Sequence, residues 1–175
     1  LFRSVCIAGK SVHFKPKPYP LLHYVYFGKG TLTYRGRTYR LKPGDCFYIP
    51  PGEVVDYAPF EDDPWSYLWV GLGGSKGKAL LESAGFGEDS VVLHDPSKAW
   101  KECFEKIYES YFDSGEYGLE ALGYAYLLIH YMILGKNERA EGKEKGHIQA
   151  AKSYIRNNFQ FQIRMQDVAN SVGVS

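Results

Sequence analysis

Residues Leu21 to Gly52 read LLHYVYFGKGTLTYRGRTYRLKPGDCFYIPPG. Apolar, aromatic and β-branched runs, Leu21 to Phe27, Thr31 to Arg35, Thr38 to Leu41 and Cys46 to Ile49, are separated by Gly28 and Gly30, Gly36, Pro43-Gly44-Asp45 and Pro50-Pro51-Gly52. Runs of about five residues with such punctuation between them are strands. In Tyr34-Arg35-Gly36-Arg37-Thr38-Tyr39, Gly36 can take the positive φ that a tight hairpin turn needs. Working outward, Val54 to Ala58 and Trp65 to Val70 continue the series, broken by Pro59 and closed by Gly71 with Gly73-Gly74. No helical period interrupts these strands, which predicts an antiparallel sandwich or small barrel rather than alternating βαβ units.

The rest of the composition limits what such a fold can do. Across 175 residues, 21 Lys and Arg stand against 20 Asp and Glu, a net charge of +1. A chain built throughout for nucleic-acid phosphates or anionic membranes is excluded, and any basic surface must be local. Fifteen Tyr and ten Phe against two Met suit strand surfaces that are half apolar and half wet. Cys6, Cys46 and Cys103 have no CxxC spacing, so neither a disulfide framework nor a zinc site is expected, and the thiols read as small residues in a reducing cytosol. The chain starts at Leu1 with no charged lead into an apolar signal segment, and so reads as a fragment of a cytosolic protein. Its longest uncharged apolar stretch, Ala121 to Leu134, contains His130 and falls short of the ~20 residues that a bilayer span requires.

After Gly74 the period changes. Asp95-Pro96 is a helix start, and Trp100, Phe104, Ile107, Tyr108 and Tyr111 then recur at three- and four-residue steps to about Ser114. From about Glu116 to Leu134 a second helix carries Leu119, Leu122, Tyr126, Ile129 and Ile133 as a seam, with Tyr124, Leu128, Tyr131 and Met132 on other faces. A helix apolar on several sides must be covered on more than one, either by the barrel and a neighbouring helix or by a second subunit. Residues 136–147 lack bulky apolar side chains and are glycine-rich, which is linker composition. Beyond them Ile148, Ala151, Ile155 and Phe159 form a helical face, followed by Ile163 and a short helix with Met165, Val168, Ala169 and Val172. The closing segment has the makings of a helix-turn-helix scaffold: small Ala169, a shared core of Val168, Val172 and Val174, Gly173 for a left-handed turn, and Ser175 as a cap. Between Lys136 and Arg164 basic side chains outnumber acidic ones, weak support for phosphate contact.

The runs Gly28 to Tyr39, Leu41-Lys42-Pro43-Gly44-Asp45, Ile49-Pro50-Pro51-Gly52-Glu53 and Asp63 to Val70 resemble the sensor domain of AraC-family transcription regulators. The stretch from Ala151 through Phe159 and Ile163 to Ser175 resembles the opening of that family's DNA-binding domain, and the two matches occur in the family's order. The resemblance implies an α+β chain. A cupin-like antiparallel β-barrel of jelly-roll type would occupy residues 1–93 and bind a small effector, usually a sugar in the branch with the Pro-Pro-Gly-Glu turn. Helices for dimerisation follow at 94–135, a linker at 136–147, and a truncated helix-turn-helix at 148–175. The implied partners are a carbohydrate effector, DNA for the full-length protein, and a second copy of the chain; the implied place is the cytoplasm.

Sugar binding needs a flat ring for the C–H face and convergent donors and acceptors for hydroxyls. Trp65, Tyr67 and Trp69 alternate, so all three face one side of a strand. By resemblance to arabinose-sensing members of the family, Trp69 stands at the stacking tryptophan and Tyr67 at a sugar-bonding histidine. Tyr57 matches a sugar-contacting tyrosine, and His13 falls where that sensor has an arginine contact. His23 and Trp65 complete the candidate ligand residues, although lone histidines and strand tryptophans are also common core residues. Cupin barrels also serve metal enzymes, but the ligand places of that pattern fall here on Lys15 and Lys17 (or Phe14 and Pro16), Leu21 and Val55, none of them a metal ligand. His13, His23, His94, His130 and His147 are scattered, and no nucleophile stands beside a base. A non-catalytic sensor without metal or cofactor is therefore expected; the alternatives are a metal-free cupin binding module with no DNA role, or a cupin isomerase or oxygenase.

Overall fold

The computed structural model describes residues 2–5, 12–13, 16–113 and 118–173, and the chain divides into two compact units, Leu1–Ile133 and Leu134–Ser175. In order, the elements are β1 (Phe2–Val5), β2 (Val12–His13), β3 (Leu21–Phe27), β4 (Gly30–Tyr34), β5 (Arg37–Leu41), β6 (Asp45–Ile49), β7 (Asp56–Pro59), β8 (Ser66–Gly71), α1 (Gly77–Ser83), β9 (Val92–His94), α2 (Ala99–Asp113), α3 (Leu119–Asn158) and α4 (Met165–Ser171). Cys6, Glu116, Val174 and Ser175 lie outside the described residues.

Two antiparallel sheets form the first unit, one in the order β1-β8-β3-β6-β9 and the other β2-β7-β4-β5. Strands closely matching the six read from the sequence are present, and the α+β, cupin-like class holds. The β4–β5 turn places two residues, Arg35 (φ 47°) and Gly36 (φ 76°), between paired Tyr34 and Arg37, the type I′ geometry whose twist matches the flanking strands. Arg35 tolerates its left-handed backbone while its guanidinium donates to Glu53 and Glu88, each at 2.5 Å, tying this hairpin to the loops that carry them.

The two sheets differ in how they are buried, and the sequence records it. Strand β4 alternates: Gly30, Leu32 and Tyr34 are buried while Thr31 and Thr33 are not. Strands β3 and β6 are buried on both faces, because odd-numbered residues point between the sheets and even-numbered ones meet helices. Thus Tyr24 packs 5.4 Å from Phe104 of α2, and Tyr48 lies 5.7 Å from Phe86, just past α1. Helix α1 and strand β9, neither expected from the sequence, follow this pattern: Leu81 of α1 joins the buried core, and β9 extends the first sheet by pairing with β6.

Helix α2 begins at Ala99 rather than at Asp95-Pro96. Lys98 has a left-handed backbone (φ 64°) that interrupts helical geometry before it starts. Asp95 still satisfies free amides: its carboxylate accepts from the N–H groups of Ser97 and Lys101, both at 3.2 Å, and from the Tyr24 hydroxyl at 3.4 Å. Trp100, Cys103, Phe104 and Ile107 are buried as the three-four spacing requires. On α3, Ala125, Leu128, Ile129 and Met132 are buried, whereas Leu119, Leu122 and Tyr126 are more than half exposed. One flank of that helix is internal core and another is unpartnered among the described residues.

The expected linker at 136–147 is a correction, since α3 runs through it without a break. Starting a helix is the costly step, and extending one between two segments that are already helical adds a bond for each residue fixed. Lys, Glu, Arg and Ala favour that extension, no proline blocks it, Glu141 and Lys145 pair at 3.8 Å one turn apart, and the glycines cost only about 1 kcal/mol each. The helix expected from Ile148 is therefore the end of α3. In the second unit α4 carries buried Val168 and half-buried Ala169, and Gly173 has a φ of 69°.

Candidate functional site

Strand register assembles the site. Trp69 on β8 and Phe47 on β6 lie directly opposite His23 on β3, one on each side. The Trp69 and His23 rings are 6.1 Å apart and 22° from parallel, His23 and Phe47 are 4.4 Å and 9°, and Phe47 and Trp65 are 5.7 Å and 10°. Four near-parallel rings thus form a column between the sheets. Two tyrosines close its sides. Tyr67 stands edge-on, 5.3 Å from His23 and 5.6 Å from Trp65, and Tyr57 reaches in from the opposite sheet to 5.9 Å from His23. The Tyr67 hydroxyl donates to that of Tyr57 at 3.4 Å.

The ends of the column differ. Trp65 is completely buried and is seated on Gly30, where a Cβ would come within 2.6 Å of the indole ring. Only glycine leaves that space. Trp69, at the other end, is half-buried. The six side chains include no carboxylate, ammonium or guanidinium group. His23 is 1% exposed, and burial pushes its pKa down to about 3, so the imidazole is neutral at physiological pH. Among the described residues, its Nδ1 and the indole N–H of Trp65 have no hydrogen-bond partner. Such a wall can stack on C–H faces and exchange hydrogen bonds with hydroxyls, and it offers no countercharge to an anion.

Of the ligand residues read from the sequence, His23, Tyr57, Trp65, Tyr67 and Trp69 converge on this column. His13 lies on β2 with its Cα opposite that of Asp56, beside the Val12–Tyr57 pair; its side chain is outside the described residues. Phe47, the plate between His23 and Trp65, was not singled out from the sequence. It sits in a strand buried on both faces, and its link to His23 is a pairing of β3 with β6 across two intervening strands. Among the described residues no group of three or more His, Cys, Asp or Glu is placed to hold a metal ion, and no helix is long and apolar enough to cross a membrane.

Residues 5–128 match the family model of the AraC-like ligand-binding domain. The chain belongs to that family. Over 162 residues it is 30% identical to the lactose operon transcription activator of Staphylococcus xylosus, and over 161 residues 26% identical to the Msm operon regulatory protein of Streptococcus mutans. In each case 89% of this chain aligns with 58% of the relative, so the chain spans less than two thirds of their length. The raffinose operon transcriptional regulatory protein of Pediococcus pentosaceus is 24% identical over a similar share. Among solved structures the AraC-like transcriptional activator CuxR shares the fold, with a TM-score of 0.51 and 14% identity, covering 99% of this chain and 65% of that one.

Proposed function

We propose that this AraC-type chain is the effector-sensing and dimerisation part of a cytoplasmic, non-enzymatic transcription regulator, and that its effector is a sugar. The observation that carries the reading is the ring column: a half-buried tryptophan plate beside two tyrosine hydroxyls and a neutral imidazole, with no charged side chain among them. Sugars present a C–H face for stacking and hydroxyls for hydrogen bonds, the two complements of that wall. Three relatives named for the lactose, Msm and raffinose operons support the same reading. In it Trp69 is the stacking platform, Tyr57, Tyr67, His13 and His23 are polar contacts, and Trp65 is the base of the column.

A panel of mono-, di- and trisaccharides that includes galactose, lactose and raffinose tests the site by thermal shift, because a ligand of the folded state raises its melting temperature. One of them is expected to raise the melting temperature of the chain. Trp69→Ala is expected to lower its affinity at least tenfold while the variant remains folded; undiminished affinity would remove Trp69 from the site.

In the same reading α3 carries the subunit contact. Leu119 and Leu122, with Tyr126, present an apolar strip beside a groove lined by Leu72, Leu80 and Ile129. Introducing Leu122→Glu and Tyr126→Glu together is expected to convert a dimer into a monomer by analytical ultracentrifugation, and a wild-type chain that sediments as a monomer at 100 μM would contradict it. DNA is the partner of the full-length protein, through a helix-turn-helix whose scaffold includes Val168, Ala169, Val172, Gly173 and Ser175. Effector binding then shifts the population between arrangements by its differential affinity for them. Operator affinity of the full-length protein, measured with and without the sugar, tests that coupling; identical values would exclude a switch in DNA binding.

A further inference from the structure

We propose that β5 is a docking edge, at which an acidic extended segment of a partner protein adds as a further strand of the second sheet. Among the described residues β5 pairs with β4 alone and ends its sheet. The two-residue turn at Arg35 and Gly36 fixes which backbone groups are left over. Tyr34 and Arg37 flank that turn as a hydrogen-bonded pair, and the pairs alternate from there, so the N–H and C=O groups of Thr38 and Arg40 point away from β4. Arg37, Thr38 and Arg40 are exposed. An open row of donors and acceptors is what another strand completes.

Side chains along the edge select the strand. Residues Arg37 to Lys42 read RTYRLK, three cations and no acid, in a chain whose charges otherwise nearly balance. Arg35 beside them pairs with Glu53 and Glu88, whereas Arg37, Arg40 and Lys42 enter no ion pair among the described residues. Alternation puts Thr38, Arg40 and Lys42 on the outer face of the sheet, and Tyr39 and Leu41 on the inner one, where Leu41 is buried and Tyr39 half-buried. A segment alternating acidic and apolar residues therefore sets its carboxylates beside Arg40 and Lys42 and its apolar side chains beside Tyr39. Other occupants match the edge less completely. A second copy paired through the same strand would place cations against cations, and the phosphates of a nucleic acid accept hydrogen bonds but donate none to the open C=O groups.

The test titrates the 175-residue chain with a short peptide of alternating glutamate and valine, read by calorimetry and amide hydrogen exchange. Binding is expected at low salt, to weaken as salt screens the ion pairs, and to slow exchange at Thr38 and Arg40 at least tenfold. The same peptide N-methylated at the amides that would face β5 is expected to bind at least tenfold more weakly, as is the plain peptide to Arg40→Glu. Thr38→Pro removes an outward N–H and no bond to β4, so it is expected to lose as much affinity while its melting temperature stays within about 5 °C of wild type. If that variant does not fold, the N-methylated peptide decides the same point from the ligand's side. Equal affinity for the N-methylated peptide, or for one with lysine in place of glutamate, overturns the proposal. So does tighter binding of a single-stranded oligonucleotide, or a self-association that Thr38→Pro abolishes. Failure of the acidic peptide to bind also overturns it, and leaves the cations of β5 as a guard against edge-to-edge aggregation.

Discussion

Phe47→Ala is expected to destabilise the first unit by about 3 to 5 kcal/mol, the usual cost of removing a buried aromatic ring and leaving its cavity. Phe47 is completely buried and touches both neighbours in the ring column, His23 at 4.4 Å and Trp65 at 5.7 Å, besides lying 5.8 Å from Tyr57 on the opposite sheet. Its loss opens a gap where the two sheets meet, and neither sheet can close over it without disturbing the other rings. Urea denaturation followed by tryptophan fluorescence measures the effect, because Trp65 lies against the deleted ring. A cost below about 1 kcal/mol would mean that the column is not a packed unit. Phe47→Leu, which keeps most of the volume, is expected to cost markedly less.

Acid is expected to destabilise the chain through His23. Its pKa is about 3 when folded and 6.5 in an unfolded chain, so below pH 6.5 the unfolded state takes up a proton that the folded state refuses. The contribution of the neutral imidazole to stability is therefore complete above pH 6.5 and declines as the pH falls toward 3. Between pH 7 and pH 4.5 the loss from this one group amounts to roughly 2 to 3 kcal/mol. The two proteins differ at position 23 alone, so the difference between wild type and His23→Phe isolates the term. The variant is expected to lose less stability than the wild type over that interval, as read from urea midpoints at the two pH values. Parallel losses would show that His23 accepts its proton without unfolding.

The strands were legible because their signals are local. Gly36, Pro43-Gly44 and Pro50-Pro51-Gly52 stop the chain wherever they occur, and a turn such as Arg35-Gly36 depends on backbone sterics within a few residues. The same holds for the buried face of α2, a period of Trp100, Cys103, Phe104 and Ile107 on one helix. Alternation put Trp65, Tyr67 and Trp69 on one side of a strand, and they do face one interior. Helix α1 escaped notice because seven residues, Gly77 among them, are too few for a period to emerge. Residues 136–147 misled because linker and exposed helix have similar composition; what separates them is whether helix is already formed on both sides.

By itself, then, the sequence determined which segments are strands, where they turn, the strand face that Trp65, Tyr67 and Trp69 share, and the family whose pattern they carry. The pairing of distant strands is what sets Phe47 between His23 and Trp65, seals Trp65 against Gly30 while Trp69 is half-buried, and buries His23 enough to keep it neutral. The physical reason is distance along the chain. Turns and periods arise among neighbours in sequence, whereas burial, ring contact and the loss of a proton depend on which distant strands pair, and that is set by the energy of the whole core.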